Sequence, residues 1–394
     1  MADTKISQLP AATTPLTGLE AIPMVQTGAT VQAPVSQITN VVAATLNPPN
    51  NRIINGDMRI DQRNAGASVT PTVTGTYTLD RWFANLSVTS KYSVQQQTSI
   101  VPADFTHALK VTSLSAYSVA VGEQFAILQG IEGFNFGDFG FGTASAKSVT
   151  LSFLVYSSLT GTFGGSLQNG AANRSYPFTY SIISANTWTQ ISITIPGDTT
   201  GTWTSNNSAG AYISFGLGVG TTLSGTANTW AAANYRSATG AVSVVGTNAA
   251  TWYITGVQLE PGTVATPFER RQYQQELALC QRYYQKSYAM ELVPGTVTAQ
   301  GALMITAADS SVLTRMSFGT HRFVVPMRAT PTVTLYGTNG TSGVISLYNA
   351  ASTTLTFSSF SNQSPNGIAD FATFTTASTA GQSYLAHYTA NIEL

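Results

Sequence analysis

The sequence predicts a mainly β protein: a jelly-roll or β-sandwich domain, one connecting α-helix, a smaller C-terminal β-sandwich domain and an extended N-terminal arm. Several segments alternate apolar and polar residues with the two-residue period of a strand, and Gly/Asn/Ser-rich turns separate them. Only one stretch carries helix signals, and many strands without helices between them are typical of a sandwich. The predicted boundaries are 1–50 for the arm, 51–265 for the jelly roll, 266–290 for the helix and 291–394 for the C-terminal domain.

The composition limits the possible partners. Of 394 residues only 9% are charged, with 17 basic and 17 acidic side chains and no net charge. Nucleic-acid binding needs a basic surface, as does attraction to anionic lipids. No apolar run is long enough to cross a membrane, and the N-terminus lacks the basic and apolar regions of a signal peptide. We therefore expect no nucleic-acid partner, no membrane insertion, and synthesis in the cytoplasm without a signal peptide.

Residues 1–50 are too few to bury a core of their own. They contain two short strand-like pieces, 21–25 and 30–32, and the segment 36–46 has room for one or two helical turns. Two interpretations stay open: a flexible tail, or an arm that becomes ordered against a partner. We favour the arm.

Alternation is clearest in four strands of the two predicted β-domains. The residues expected to share a face are Val149, Leu151, Phe153 and Val155; Ile191, Ile193 and Ile195; Ile213, Phe215, Leu217 and Val219; and, in the last strand, Tyr384, Ala386, Tyr388, Ala390, Ile392 and Leu394. In the strand that closes the jelly roll, the expected shared face is Tyr253, Thr255, Val257 and Leu259. These strands predict where the cores lie.

The connecting helix has a well-defined start signal. Thr266 is the expected N-cap, Pro267 occupies the first helical position, and Glu269 completes a capping box. Residues then recur at spacings of three and four, as on an apolar seam: Tyr273, Leu277, Cys280 and Tyr284. This seam either packs on the chain's own β-domain or meets copies of itself about a symmetry axis. We favour the second interpretation, which makes these four the oligomerisation residues.

Metal and cofactor chemistry is not indicated. Cys280 is the only cysteine, so neither an intrachain disulfide nor a cysteine metal cage can form. The three histidines, His107, His321 and His387, are far apart in the sequence and lack metal-ligand spacing. We expect no metal and no cofactor.

An enzyme is not indicated either. Glycoside hydrolysis needs a pair of carboxylates, and no motif joins any two of the candidates Asp80, Asp104, Glu123, Glu132 and Asp138. Nucleophile elbows, zinc-protease motifs and phosphate loops are absent from the sequence. We predict that the protein is not an enzyme.

Ligand binding is better supported by two neutral loops that combine aromatic and amide side chains. Sugars stack their apolar faces on aromatic rings, while amides and hydroxyls bond the rim. The predicted ligand-binding residues are Trp203, Asn206, Asn207, Tyr235 and Arg236. The alternative interpretation is that each tryptophan anchors a hydrophobic core.

Three blocks resemble bacteriophage tail-fibre and related virion proteins. TKISQLPAATTPLTGLEAIPMVQTGATVQAPVSQI resembles their virion-attachment segment. NRIINGDMRIDQRNAG with YTLDRWF, closed by WYITGVQLEPGTVATPFERRQYQQELALCQRYYQKS, resembles their jelly-roll module and following helix. HRFVVPMRATPTVT with YLAHYTANIEL is similar to their C-terminal β-domain.

This resemblance implies a homotrimeric virion fibre on a phage tail or capsid. Its arm would hold other virion proteins, and the rest of the chain would attach to a host-surface polysaccharide. A capsid decoration protein without an essential receptor, and a tailspike depolymerase, are the alternatives.

The NGD and VQLE segments also resemble the first and last strands of carbohydrate-binding jelly rolls, which often hold a structural calcium. Asp57 and Glu260 match that pattern loosely, but Gly256 stands where an acidic ligand would help.

Overall fold

The computed structural model describes residues 21–26, 29–34, 51–307, 313–317, 321–378 and 381–394. The chain divides into two compact units, Met1–Asn50 and Asn51–Leu394. In the first unit, strands β1 (Ala21–Gln26) and β2 (Ala29–Pro34) pair antiparallel, so both strand-like pieces are confirmed as strands. The helical turns considered for 36–46 lie outside the described residues.

The second unit opens with a two-sheet sandwich. Its strands are β3 (Thr76–Leu79), β4 (Trp82–Leu86), β5 (Tyr92–Gln97), β6 (Ala108–Ser113), β7 (Gln124–Glu132), β8 (Val149–Ser157), β9 (Gly161–Asn169), β10 (Ser175–Ile182), β11 (Thr189–Ile195), β12 (Ala209–Val219), β13 (Ser224–Gly225), β14 (Ser237–Ala238) and β15 (Thr251–Pro261). One sheet has the order β10-β9-β12-β7-β4-β3 and the other β11-β8-β15-β6-β5, while β13 and β14 form a short parallel pair. The predicted mainly β, jelly-roll class is confirmed.

The predicted core face of β8 is confirmed, and that of β12 is confirmed except at Val219, which is half-buried and follows a register shift between Gly216 and Gly218. Phe153 of β8 and Phe215 of β12 are fully buried, and their rings meet edge-on at 5.1 Å between centroids. Trp82 and Trp252 lie in the same core. Complete burial of one large apolar side chain contributes about 1.5–3 kcal/mol, so this aromatic core holds the two sheets together.

Strand β15 departs from the predicted alternation. Trp252 and Ile254 belong to the core before Gly256, and Val257 and Leu259 belong to it afterwards. The register between β15 and β8 shifts within this stretch, and Gly256 has φ of 62°, a left-handed conformation that favours glycine. The prediction that Tyr253, Thr255, Val257 and Leu259 share one face is wrong, because a β-bulge changes the face that the later residues take.

The connecting helix begins later than predicted. Helix α1 spans Tyr273–Gln281 and does not start at Thr266. The capping box does not form because its polar groups bind elsewhere. The Thr266 hydroxyl donates to the Glu260 carboxylate at 2.6 Å, and the Glu269 carboxylate accepts the Asn51 backbone N–H at 2.8 Å. The predicted helix start is therefore wrong, since tertiary partners replaced the local ones.

The four seam residues do not form one stripe. Tyr284 lies beyond the helix in strand β16 (Tyr284–Lys286). Leu277 and Cys280 are buried within their own chain, in a small cluster with Ile54, Ile60 and Tyr283. Tyr273 is 44% exposed. The inner side of α1 therefore packs on its own chain, and the homotrimer stays a prediction.

The C-terminal part forms one antiparallel sheet. After β16 its strands are β17 (Leu303–Thr306), β18 (Leu313–Ser317), β19 (His321–Arg322), β20 (Thr332–Tyr336), β21 (Val344–Leu347), β22 (Ala350–Ser364), β23 (Gly367–Ser378) and β24 (Ser383–Asn391). Strand β24 pairs with β16, β17, β20 and β21. Its residues Tyr384, Ala386, Tyr388 and Ala390 are buried in a second hydrophobic core, which confirms the predicted face of the last strand for these four. Ile392 and Leu394 lie beyond the end of β24, and Leu394 packs against the cluster around Leu277 instead. Among the described residues no helix is long and apolar enough to cross a membrane.

Buried charges join this sheet to the sandwich. Glu393 accepts from Arg63 at 2.8 Å and pairs with Arg81. Arg328 donates to the backbone carbonyls of Ile392 at 2.7 Å and of Asn207 at 2.9 Å. These contacts fix the end of the chain against the sandwich and so shape the surface between the two parts.

Candidate functional site

A groove of about 630 Å³ opens where the sandwich meets the C-terminal sheet. This volume falls within the roughly 300–1,000 Å³ of typical small-molecule sites. One wall comes from β20, β24 and β16, and the other from Arg63 and Tyr77 of the sandwich. Ile392, Glu393 and Leu394 complete the lining.

The sheet wall follows from strand register. Thr332 pairs with Asn391, and Thr334 pairs with Thr389. Because side chains alternate across a strand, the intervening Val333 and Leu335 enter the core while the polar side chains line the groove. A row of hydroxyl and amide groups therefore faces the cavity.

The threonine hydroxyls of this wall are free of hydrogen bonds to the described part of the protein. Within the described part of the chain, the side chains of Thr332, Thr334 and Thr389 make no hydrogen bond. A threonine hydroxyl offers one donor and two acceptor positions. The wall thus presents unused hydrogen-bonding capacity on a rigid sheet.

Tyr336 supplies an aromatic surface at the end of the row. Its half-buried ring contacts Tyr288 edge-on, with centroids 6.1 Å apart. Tyr288 in turn stacks on His387 with centroids 3.9 Å apart. This packing holds the Tyr336 ring in place beside the threonines.

The Arg63 guanidinium packs against the two other aromatic rings that line the groove, Tyr77 and Tyr284. Its guanidinium carbon lies 3.7 Å from the centroid of the Tyr284 ring and 5.0 Å from that of Tyr77. Arg63 also donates to Glu393, whose side chain is only 6% exposed. Burial raises the pKa of the Tyr77 and Tyr284 hydroxyls above their usual value, so both phenols stay neutral. These groups form a rigid base for the groove.

Trp203 lies outside the groove, in an aromatic cluster. Its indole stacks on Phe136, with centroids 5.4 Å apart and an interplanar angle of 15°. It also meets Phe141 and Trp230 edge-on, and its N–H donates to the Thr200 carbonyl at 3.3 Å. The Trp203 side chain therefore packs mainly against the hydrophobic core of the sandwich.

The other sequence-predicted residues are placed in two loops. Asn207 donates from its side chain to the Arg328 carbonyl at 2.9 Å, and Asn206 is exposed and accepts the Ser208 N–H at 2.8 Å. Arg236 bonds the side chain of Gln168, and Tyr235 is half-buried. None of these residues lines the groove. Their role in ligand binding stays a prediction.

The two acidic residues considered for calcium have separate partners. Asp57 forms an ion pair with Arg59. Glu260 accepts from the backbone N–H and the hydroxyl of Thr266. Each carboxylate thus has a structural role in its own loop.

Comparison with known proteins finds no matching family model and no matching curated protein. Three solved structures are each similar to about half of this chain. The enzymatically active domain of bacteriophage CBA120 tailspike protein 4 is 14% identical, with a TM-score of 0.30, over 55% of this chain and 22% of its own. The module TmCBM61 in complex with β-1,4-galactotriose is 10% identical, with a TM-score of 0.29, over 54% of this chain and 100% of its own.

The family 11 carbohydrate-binding module of a Clostridium thermocellum cellulosomal cellulase is 13% identical, with a TM-score of 0.24, over 51% of this chain and 99% of its own. This chain therefore spans about a fifth of the tailspike chain and essentially all of each module. Identities and TM-scores this low do not indicate a shared function, which has to be argued from the groove.

Proposed function

We propose that the chain is a glycan-binding protein, and that it serves as a structural fibre of a phage virion that attaches to a host-surface polysaccharide. The observation that carries the glycan proposal is the row of free threonine hydroxyls beside the Tyr336 ring, next to the Asn391 amide, whose oxygen accepts the Glu393 backbone N–H at 3.3 Å. A sugar presents the complementary surface, with apolar C–H faces for an aromatic ring and hydroxyls for the polar row.

The chemistry of the row suits polyols. Every sugar hydroxyl both donates and accepts, and so do the threonine hydroxyls and the Asn391 amide. Because the sheet positions these groups before a ligand arrives, little side-chain ordering is needed on binding. The Tyr336 ring adds a stacking surface of the kind that contributes beyond simple area burial.

Binding without hydrolysis is part of the proposal. Retaining and inverting glycosidases both need two carboxylates across the scissile bond. Among its described lining residues the groove offers one carboxylate side chain, Glu393, and two arginines hold it. A carboxylate in that environment is a structural anchor.

The virion role is supported by sequence features. The low charge and the three blocks that resemble phage fibres favour a particle component, and residues 1–50 form a unit of their own. We propose a homotrimer whose N-terminal arm contacts other virion proteins. Electron microscopy of virions with labelled chain would locate it on the tail, on the capsid or on neither.

The glycan proposal is tested by screening the purified full-length chain on a glycan array and measuring the affinity of the best binder by calorimetry. Tyr336→Ala should weaken binding about tenfold, the scale of a lost aromatic contact. Tyr348→Ala is the matched control, since Tyr348 is a 58% exposed tyrosine outside the groove. No binding to any glycan, or equal losses in both variants, would contradict the proposal, and sugar release from polysaccharide would indicate a depolymerase instead.

A further inference from the structure

We infer that the groove selects uncharged glycans and excludes glycans that carry carboxylates. This inference rests on the proposed function and names its ligand class. It starts from the charges in the groove. Among the described lining residues, Arg63 and Glu393 are the ones with charged side chains, and their side chains are 13% and 6% exposed. Each already has its partner in the other at 2.8 Å.

Arg63 is the cation that an acidic sugar would need, and it is held in place. Two tyrosine rings flank its guanidinium, and Glu393 accepts its N–H. To bind a ligand carboxylate, Arg63 would have to leave Glu393. A ligand carboxylate that approached without displacing Glu393 would meet an Arg63 charge that Glu393 already offsets, so it would gain little attraction from that arginine.

Arg81 does not compensate. Its side chain is 1% exposed and is committed to Glu393, to the Gly130 carbonyl and to the face of the Tyr283 ring, 3.5 Å from the guanidinium carbon. A cation buried this completely and held by these three contacts cannot turn toward a ligand. Both arginines are therefore internal to the protein and contribute no free positive charge to the groove.

The remaining polar lining is neutral. Thr332, Thr334, Thr389 and Asn391 offer hydrogen bonds without charge. A carboxylate brought against them would lose part of its hydration without gaining an ion pair, which is unfavourable. A neutral sugar has no charged group to desolvate, and its hydroxyls can form hydrogen bonds with the threonines and Asn391. The groove thus discriminates in two ways: it offers hydrogen bonds to a neutral sugar, and it offers no free cation to a carboxylate.

The test compares a matched pair of ligands on the full-length chain. The first ligand is the neutral oligosaccharide that binds best on the array, and the second is the same oligosaccharide oxidised at C6 to the uronate. The neutral form should bind at least tenfold more tightly, and its affinity should not change between low and high NaCl, because no charge pair forms for salt to screen. Equal or tighter binding of the uronate form, or a salt-dependent neutral affinity, would overturn the inference.

A gain-of-function variant makes the test independent of folding defects in the ion-pair network. Thr332 is exposed on β20, so Thr332→Lys adds a free cation to the groove wall at a tolerant position. It should improve uronate binding at least tenfold over the wild type. Asn349→Lys adds the same charge at an exposed position outside the groove and should not.

The outcomes separate the two proposals. If the wild type binds acidic glycans as well as neutral ones, the selectivity is wrong and the glycan-binding function stands. If it binds neither class, both proposals fail. Improvement by Asn349→Lys equal to that by Thr332→Lys would show a general charge effect and would overturn the assignment to the groove.

Discussion

Arg63 and Glu393 form an ion pair at 2.8 Å, although in the sequence they lie near the two ends of the second unit, Asn51–Leu394. Arg81 reaches the same carboxylate from a buried position. One acidic side chain therefore pairs with two arginines and closes the groove at its base. The pair connects the stability of the junction between sandwich and sheet to the shape of the candidate site.

Removing this carboxylate should destabilise the whole junction. Glu393→Gln leaves two nearly buried cations without their counter-charge, a change that costs about 3–5 kcal/mol when one partner of a buried pair is lost. Chemical denaturation should show a fall of that size in the free energy of unfolding. Glu291→Gln, at an exposed position, is the control and should change it by less than about 0.5 kcal/mol. A fall below about 1 kcal/mol for Glu393→Gln would mean that the pair is not structural.

Trp203 tests the choice between two binding surfaces. Because its ring packs on Phe136, Phe141 and Trp230, Trp203→Ala should lower the free energy of unfolding by about 2–3 kcal/mol, below the roughly 3–5 kcal/mol of a fully buried tryptophan. Glycan affinity should stay unchanged, since the groove lies elsewhere. Phe134→Ala, at a 64% exposed ring in a neighbouring loop, should alter stability little. Loss of glycan affinity with intact stability would return the site to the loop predicted from sequence.

Substitutions on the buried and exposed sides of α1 test folding and oligomerisation separately. Leu277→Asp places a charge in a cluster internal to the chain, so it should unfold the protein whatever its oligomeric state. Tyr273→Asp changes the exposed end of the predicted seam. If α1 lies at a trimer interface, this variant should keep its circular dichroism spectrum and lose mass in light scattering. Gln275→Asp, also exposed, is the control, and an unchanged mass for Tyr273→Asp would remove α1 from the interface.

Asp80 should make stability depend on pH. Its carboxylate is fully buried and accepts the Gln62 backbone N–H at 2.6 Å, and Gln62 donates to the Tyr284 carbonyl at 3.0 Å. Burial raises the pKa of Asp80 from its usual value of 3.8 to about 7. Between pH 3.8 and pH 7 the folded state therefore keeps a proton on Asp80 that the unfolded state releases. The contribution of Asp80 to the free energy of unfolding falls as pH rises through that window, and above it the contribution is unfavourable.

Asp80→Asn should abolish that contribution. The free energy of unfolding of the variant minus that of the wild type should rise between pH 4 and pH 8, by at most about 4 kcal/mol at 1.36 kcal/mol per pKa unit. Denaturation curves at several pH values measure this difference. Asp104→Asn removes an exposed carboxyl and is the control. A constant difference across the range would contradict the burial effect.

The sequence by itself determined the fold class and much of one groove wall. Alternation with a period of two is a local property, so it predicts which residues of β8, β12 and β24 enter a core. The same alternation places Thr389 and Asn391 on the face of β24 away from that core. That surface was readable from the last strand without knowing what it faces.

Tertiary structure decided the rest, because the deciding partners are distant in the chain. The bulge at Gly256 reverses a face that local alternation predicts, and Asn51 takes the carboxylate that a local capping box would use. Whether a tryptophan such as Trp203 anchors a core or binds a sugar depends on the rings that surround it. The groove itself exists only where Arg63 and Glu393 meet, since a pattern of residues specifies a strand's faces but not the surface that each face will meet.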